Sequence, residues 1–239
     1  MCVYEEKTME DDKPSISEIQ LKVVVAGYIG IGKTQLLNRL AGKEFNRHYN
    51  STVALHLERC VRTHERVNYT FFFWELDDRD HNVGCRRLYT AEADMVILMW
   101  DASTTERRFR EPSFKAVGQW LNKLDDIDFA LENRPVLFVM NKTDRSEIKE
   151  PTPEEKKQIE AWVKTYGIKT YDIVSGSVKD SMEPFEQKLV ECAKKTTKAF
   201  GLARTQATQL ATVGNFPGVR EANNNSGTVL ERKVTMGNF

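Results

Sequence analysis

A three-layer α/β sandwich is the fold this chain predicts, with a six-stranded, mostly parallel sheet and helices on both faces. Three observations predict it. Short β-branched apolar runs recur at 20–27, 94–102 and 134–142. Segments of helical period separate them. One pair of adjacent runs, 53–62 and 66–76, is joined by Thr63-His64-Glu65 and reads as an antiparallel hairpin. Strands that alternate with helices need crossover connections, which makes most strands parallel and covers both sheet faces.

Taken in order, QLKVVVAG at 20–27 is a buried strand that ends in glycine. Residues 33–43 carry Leu36, Leu37 and Leu40 on one helical face. The hairpin follows. DMVILMWDA at 94–102 and RPVLFVMNK at 134–142 are two further buried strands, and 112–124 between them is helical. Thr152-Pro153-Glu154-Glu155 is a capping box with proline at the first helical position, and Gly167 ends that helix. KTYDIVS at 169–175 is the last strand and 182–200 the last helix. Phe71-Phe72-Phe73 reads as sheet core.

Composition narrows the class. The 239 residues are 40% hydrophobic and 29% charged, with 35 basic and 35 acidic side chains. That suits a globular core and excludes a collagen, a disulfide scaffold or a wholly disordered chain. Balanced charge argues against a protein that coats nucleic acid, which takes a basic surplus. The longest apolar run, Met95 to Trp100, has six residues, far below the roughly 18 of a membrane span. Cys2, Cys60, Cys85 and Cys192 lie far apart without a CxxC pair, so reduced intracellular thiols are expected, and no metal on them.

Residues 1–19 read as a flexible acidic arm without a secretory signal. Residues 20–200 are the expected domain. Residues 201–239 read as a disordered tail, with four basic and two acidic side chains after position 201.

Two motifs carry chemistry. Gly27-Tyr28-Ile29-Gly30-Ile31-Gly32-Lys33-Thr34 matches GxxxxGK[ST] between a strand and a helix. Its glycines let successive backbone N–H groups turn inward as an anion nest, and the positive end of the next helix points the same way. Lys33 is placed to reach the β- and γ-phosphates and Thr34 to ligate Mg²⁺, with Gln35 next in the helix. Asn141-Lys142-Thr143-Asp144 closes a buried strand roughly 110 residues later. The Asp144 carboxylate accepts from N1–H and the 2-amino group of guanine, which adenine does not offer in that arrangement. Lys142 lays its stem along the ring. Ser175-Gly176-Ser177 follows the last strand, where a backbone N–H can donate to guanine O6.

These motifs, in this order and spacing, resemble the Ras-like small GTPases, and within them the Rab branch. The resemblance spans about residues 20–200 and implies the P-loop NTPase fold, GTP or GDP with Mg²⁺, and GTP hydrolysis. Phe45 stands where that family sets an aromatic against guanine. Tyr49-Asn50-Ser51-Thr52-Val53 looks like the first switch, with Thr52 closing over Mg²⁺ and the γ-phosphate. Phe73-Trp74 resembles the step before the second switch of Rab proteins, 93–103 resembles their central strand, and Ser175-Gly176 a diverged Ser-Ala loop.

The second switch departs from the family's Asp-x-x-Gly-Gln. Here it reads Glu75-Leu76-Asp77-Asp78-Arg79. Glu75 replaces the aspartate that holds a Mg²⁺ water and is one methylene longer, and Mg²⁺ demands tight octahedral geometry. Asp77 is the alternative if the loop shifts by two residues. Asp78 replaces a glycine that contacts the γ-phosphate. A carboxylate about 4–6 Å from a phosphate charge repels it by roughly 3–4 kcal/mol before screening. Arg79 replaces the glutamine that orients the attacking water, and arginine offers donors only. In the phosphate loop, Ile29 stands where Ras has glycine and crowds the space near the γ-phosphate. Binding residues are kept and hydrolytic ones are not. Two readings follow: a regulatory switch with slow hydrolysis, or a non-hydrolysing GTP-bound scaffold.

Family members usually end in prenylated cysteines, and this sequence ends Met236-Gly237-Asn238-Phe239. No direct lipid anchor is expected, and a cytoplasmic protein would reach membranes through partners. Vesicle traffic is implied by analogy alone. Trp74 and Tyr89 with Leu57 form a candidate effector patch, the alternative for Trp74 being packing against the last helix. An exchange factor is a further implied partner.

Overall fold

The computed structural model describes residues 16–47, 55–77, 83–103 and 107–201. The expectations for Tyr49, Thr52, Asp78 and Arg79, for residues 1–15 of the N-terminal arm and for residues 202–239 of the tail fall outside the described residues, while residues 17–19 of the expected arm belong to a strand.

The elements are β1 (Ser17–Gly27), α1 (Lys33–Leu40), β2 (Leu55–His64), β3 (Val67–Leu76), α2 (Val83–Thr90), β4 (Met95–Asp101), α3 (Arg107–Asp125), β5 (Val136–Asn141), α4 (Pro153–Thr165), β6 (Tyr171–Ser175) and α5 (Glu183–Lys194). One six-stranded sheet runs in the order β2-β3-β1-β4-β5-β6. Only the β2–β3 pair is antiparallel. The α/β fold with helices around a mostly parallel sheet is as the sequence predicts.

Side-chain alternation sorts the two faces. Leu21, Val23 and Val25 of β1 join Phe71 and Phe73 of β3, the leucines of α1, and Phe185 and Leu189 of α5. Val24 and Ala26 turn the other way, toward Val96, Leu98 and Trp100 of β4, and Val117 and Trp120 of α3. Every residue of β4 and β5 is buried, which is why both read as unbroken apolar runs. Burying a side chain such as Phe71 or Leu37 contributes about 1.5–3 kcal/mol. Burial also pushes the Cys60 thiol up to about 11 and the Cys192 thiol to about 12, so both stay protonated.

Several boundaries differ from the expected ones, each for a local reason. β1 starts earlier because residues from Ser17 pair with β3 from Val67. α3 begins before Pro112, which lies inside it. α5 ends at Lys194 because Thr196 interrupts it: its hydroxyl donates to Ala193 O (2.7 Å) and accepts from the Ala199 N–H (3.3 Å). Phe72 is not core. It faces the side opposite Phe71 and Phe73 and is 36% exposed, with the Arg59 guanidinium 5.9 Å from its ring. α2 has no counterpart among the expected helices: its apolar Leu88 is 69% exposed, so no apolar face shows in the sequence.

On the second face, α3 and α4 are tied closely. The predicted capping box is present: Thr152 Oγ1 accepts the Glu155 N–H (3.2 Å) and Glu155 Oε2 accepts the Thr152 N–H (2.9 Å). Arg110 of α3 donates from Nη2 to both Glu155 oxygens at 3.0 and 2.9 Å. Next to that pair Gly118 lies flat under the Trp162 indole. A Cβ at Gly118 would sit 2.8 Å from Trp162 Cζ2.

The hairpin turn is made by Glu65 and Arg66, with His64 opposite Val67. Both have positive φ, 49° and 64°. This two-residue turn has the right twist for the strands and the wrong residues for it, because a side chain in the left-handed region costs roughly 1–2 kcal/mol. Arg66→Gly is therefore expected to stabilise the fold by about 0.5–1 kcal/mol, net of glycine's added freedom when unfolded. Urea unfolding checks this, and a lower midpoint would refute the turn assignment.

Candidate nucleotide site

The strand order reverses at β1, which has β3 on one side and β4 on the other. Ligands in such sheets bind outside the carboxyl ends of the strands at that reversal. Here β1 ends at Gly27, the chain turns, and α1 starts at Lys33.

Two loop glycines are required by close approach. A Cβ on Gly27 would lie 2.5 Å from Met99 O, and one on Gly32, at φ 95°, would lie 2.6 Å from Asn141 Nδ2. At Gly30, with φ 74°, a Cβ would meet nothing within 4 Å, so the loop faces open space there. Gly32, which precedes α1, offers no capping side chain, and the first turn of α1 has no acid. The N–H groups and positive dipole end of α1 thus suit an anion.

Lys33 is 7% exposed and curls over this loop, its Nζ donating to Gly27 O at 3.0 Å and Tyr28 O at 2.9 Å. Ile31 is buried in the core, while Ile29 lies partly exposed at the bend. Gln35 Oε1 accepts the Asn46 N–H at 3.1 Å. That bond holds the segment carrying Phe45, which packs at the edge of the α1–α5 core.

Thr34 and Glu75 meet, although 41 positions separate them: the Thr34 hydroxyl donates to Glu75 Oε1 at 2.9 Å. Glu75 is 2% exposed, opposite Val25 of β1 and His56 of β2 in register.

The second motif reaches across to the first. Asn141 is fully buried, and its Nδ2 donates to Ile31 O (2.8 Å) while its Oδ1 accepts the Val178 N–H (3.1 Å). Lys142 adopts φ 64° and donates to Gly30 O and to Asp101 Oδ2, both at 2.7 Å. Asp144 Oδ1 accepts the Ser177 hydroxyl at 2.7 Å, and Lys179 Nζ lies 3.6 Å from its other oxygen. The Gly176 N–H is committed to Met140 O (3.0 Å) and the Val178 N–H to Asn141, which leaves Ser177 as the loop position between them. Ser175 turns to Glu150, 3.5 Å from its hydroxyl. The glycine loop between β1 and α1, the NKTD loop and the loop after β6 are thus bonded into one unit.

Sequence reasoning missed Asp101, and His56 as the cross-strand neighbour of Glu75. Asp101 was visible as an acid closing a fully apolar strand, where a carboxylate needs a partner. His56 becomes notable only through its register opposite Glu75, which no spacing reveals.

Residues 22–144 match the family described as Ras of Complex, Roc, domain of DAPkinase. The chain is a Ras-like small GTPase. Its Rab-like branch is supported by its relatives. It is 24% identical over 181 residues to the human Ras-related protein Rab-32, covering 74% of this chain and 76% of that protein. It is 26% identical over 186 residues to Ras-related protein RABG3f of Arabidopsis thaliana, 77% of this chain and 86% of that one. The mouse Ras-related protein Rab-7L1 matches at 24% over 198 residues, 82% and 89% of the two chains.

In this Rab-like GTPase the Trp74 and Tyr89 rings lie 6.4 Å apart, and Lys22 Nζ sits 3.9 Å from the Trp74 ring centre. Burial lowers the Lys22 pKa, against the opposing pull of Glu92 and Asp94. Trp74 points away from the α5 face, so it does not pack on the last helix. Leu57, its register partner on β2, is 54% exposed. Among the described residues no helix is long and apolar enough to cross a membrane.

Proposed function

We propose that this Rab-like GTPase binds GTP and GDP with Mg²⁺ and works as a regulatory switch whose hydrolysis is slow. The observation that carries the reading is that Asn141 and Lys142 both bond to carbonyls of the phosphate-binding loop. A base reader fixed to a phosphate cradle suits a ligand with purine and phosphates at a set separation. The loop N–H groups around Gly30, Ile31 and Gly32, with Lys33, would hold phosphate. Asp144 and the Ser177 N–H would read the guanine edge, and Lys142 and Phe45 would flank its ring.

The donor set also fits Mg²⁺. Thr34 and Glu75 bring hydroxyl and carboxylate oxygens together, the hard ligands Mg²⁺ prefers. Bound there, the ion would supply charge neutralisation for the phosphates. The contact with Thr34 supports Glu75 over Asp77 as the supporting acid, and Thr52 is the proposed partner from the first switch. Effectors would dock on Leu57, Trp74 and Tyr89. A cytoplasmic location with membrane recruitment through partners completes the reading.

Slow hydrolysis rests on Ile29, Asp78 and Arg79. The test is single-turnover conversion of preloaded GTP, read by chromatography of the denatured protein. The expected rate is at or below about 10⁻⁴ s⁻¹, a half-life of roughly two hours. Conversion within a minute would refute it. GTP intact after a day would favour the second reading, a scaffold that nucleotide stabilises by linkage. Asp78→Gly with Arg79→Gln should raise the rate, and no change would shift the cause to Ile29.

A further inference from the structure

We propose that Asp101 is a positioning residue for nucleotide binding, acting through Lys142. This rests on the guanine-nucleotide reading above and deepens it.

Asp101 closes β4 and is 1% exposed. Its Oδ1 accepts the Ser103 N–H at 2.7 Å, and its Oδ2 accepts Lys142 Nζ at 2.7 Å. A carboxylate this deeply buried is costly without a cation. Lys142 is its ion-pair partner among the described residues. The same ammonium donates to Gly30 O of the phosphate-binding loop. Lys142 is therefore bracketed at its head by β4 and the loop, and at its root by a left-handed backbone. The stem has little freedom between those anchors.

An unrestrained lysine stem carries rotamer entropy that is lost when it lies against a ligand. Fixing it beforehand moves that loss from binding to folding. Asp101 does the fixing, and it is itself held from behind. Its N–H donates to Ser113 Oγ (2.9 Å), the next residue's N–H to Asn141 O (2.7 Å), and Arg110 to Ala102 O (2.8 Å). The face of the base site is thus braced by side chains of α3.

The test is the release rate of fluorescently labelled GDP from the full chain, measured for the wild type, Asp101→Asn, Lys142→Met and the double variant. Asp101→Asn keeps the shape and removes the charge. It is expected to release GDP about ten times faster. Lys142→Met is expected to be faster again. The double variant should match Lys142→Met within about twofold, because Asp101 has nothing left to act through. A further tenfold loss in the double variant would overturn the proposal, and so would an unchanged rate in Asp101→Asn.

If Asp101→Asn fails to fold, thermal melting of the other two decides. Without its cation, Asp101 is a buried lone charge, so the double variant should melt no lower than Lys142→Met. A double variant that also fails to fold overturns the positioning role. A wild type that takes up no labelled GDP refutes the nucleotide reading itself, a result distinct from the other failures.

Discussion

Replacing Asn141 with alanine is expected to cost the fold about 2–4 kcal/mol and to abolish most nucleotide affinity. The side chain is fully buried and makes two bonds, to Ile31 O and from the Val178 N–H. Alanine leaves both main-chain groups buried without that partner, and each such loss costs roughly 1–3 kcal/mol. The second effect follows from the first. Ile31 belongs to the phosphate-binding loop and Val178 to the loop after β6, so the clamp sets the distance between the proposed phosphate and base contacts. Urea unfolding of nucleotide-free protein reads the stability term, and GDP titration the affinity term. A variant of wild-type stability would show that Asn141 is no strut. A stable or unstable variant that binds GDP normally would show that the loop holds its shape without it.

Asp144→Ala is expected to act on selectivity more than on stability. In the folded chain Asp144 accepts one serine hydroxyl and lies at 3.6 Å from Lys179, at the surface side of its loop. Losing these costs about 1 kcal/mol or less. The carboxylate's larger role is proposed to be toward guanine. A site built to hydrogen-bond a polar group rejects a ligand that lacks it by about 10⁴-fold. The ratio of GDP to ADP affinity should therefore fall by roughly 10³–10⁴-fold, measured by competition against labelled GDP. A ratio that stays high would put the base reader elsewhere. Ser177→Ala, which frees the carboxylate and removes the acceptor of the Lys179 N–H (3.2 Å), should lower the ratio by less than tenfold.

The sheet was legible in the sequence because β4 and β5 are buried on both faces and contain little but apolar residues. The glycine loop after β1 was legible as a tight turn because Gly27 and Gly32 leave no room for a Cβ, and the NKTD loop as a polar end to a buried strand because Asn141 and Lys142 bond to that loop. The contrast is Phe72. Three consecutive phenylalanines look like core, but a strand turns alternate side chains to opposite faces, and on the face opposite α5 Phe72 is left exposed between the buried Thr70 and Leu76. α2 was invisible because its packing uses Arg86 and Thr90, both buried, in place of an apolar stripe. Tertiary pairing, and not local pattern, also decided the early start of β1 and the break of α5 at Thr196. The Asp101–Lys142 pair lay in plain sight as two charges at the ends of neighbouring strands. Only their parallel register shows that they meet.

The contact between Gly118 and Trp162 carries a consequence for how this sequence can change over generations. The indole occupies the space a β-carbon at 118 would need. Two positions on different helices are therefore not free to vary in any order. A lineage that first exchanges Trp162 for a smaller residue opens a gap that alanine at 118 can then fill. A lineage that begins at 118 must push a rigid double ring off its seat before any compensation exists. The path between two workable combinations runs one way round, and inherited history at this helix pair is constrained by the shape of one side chain.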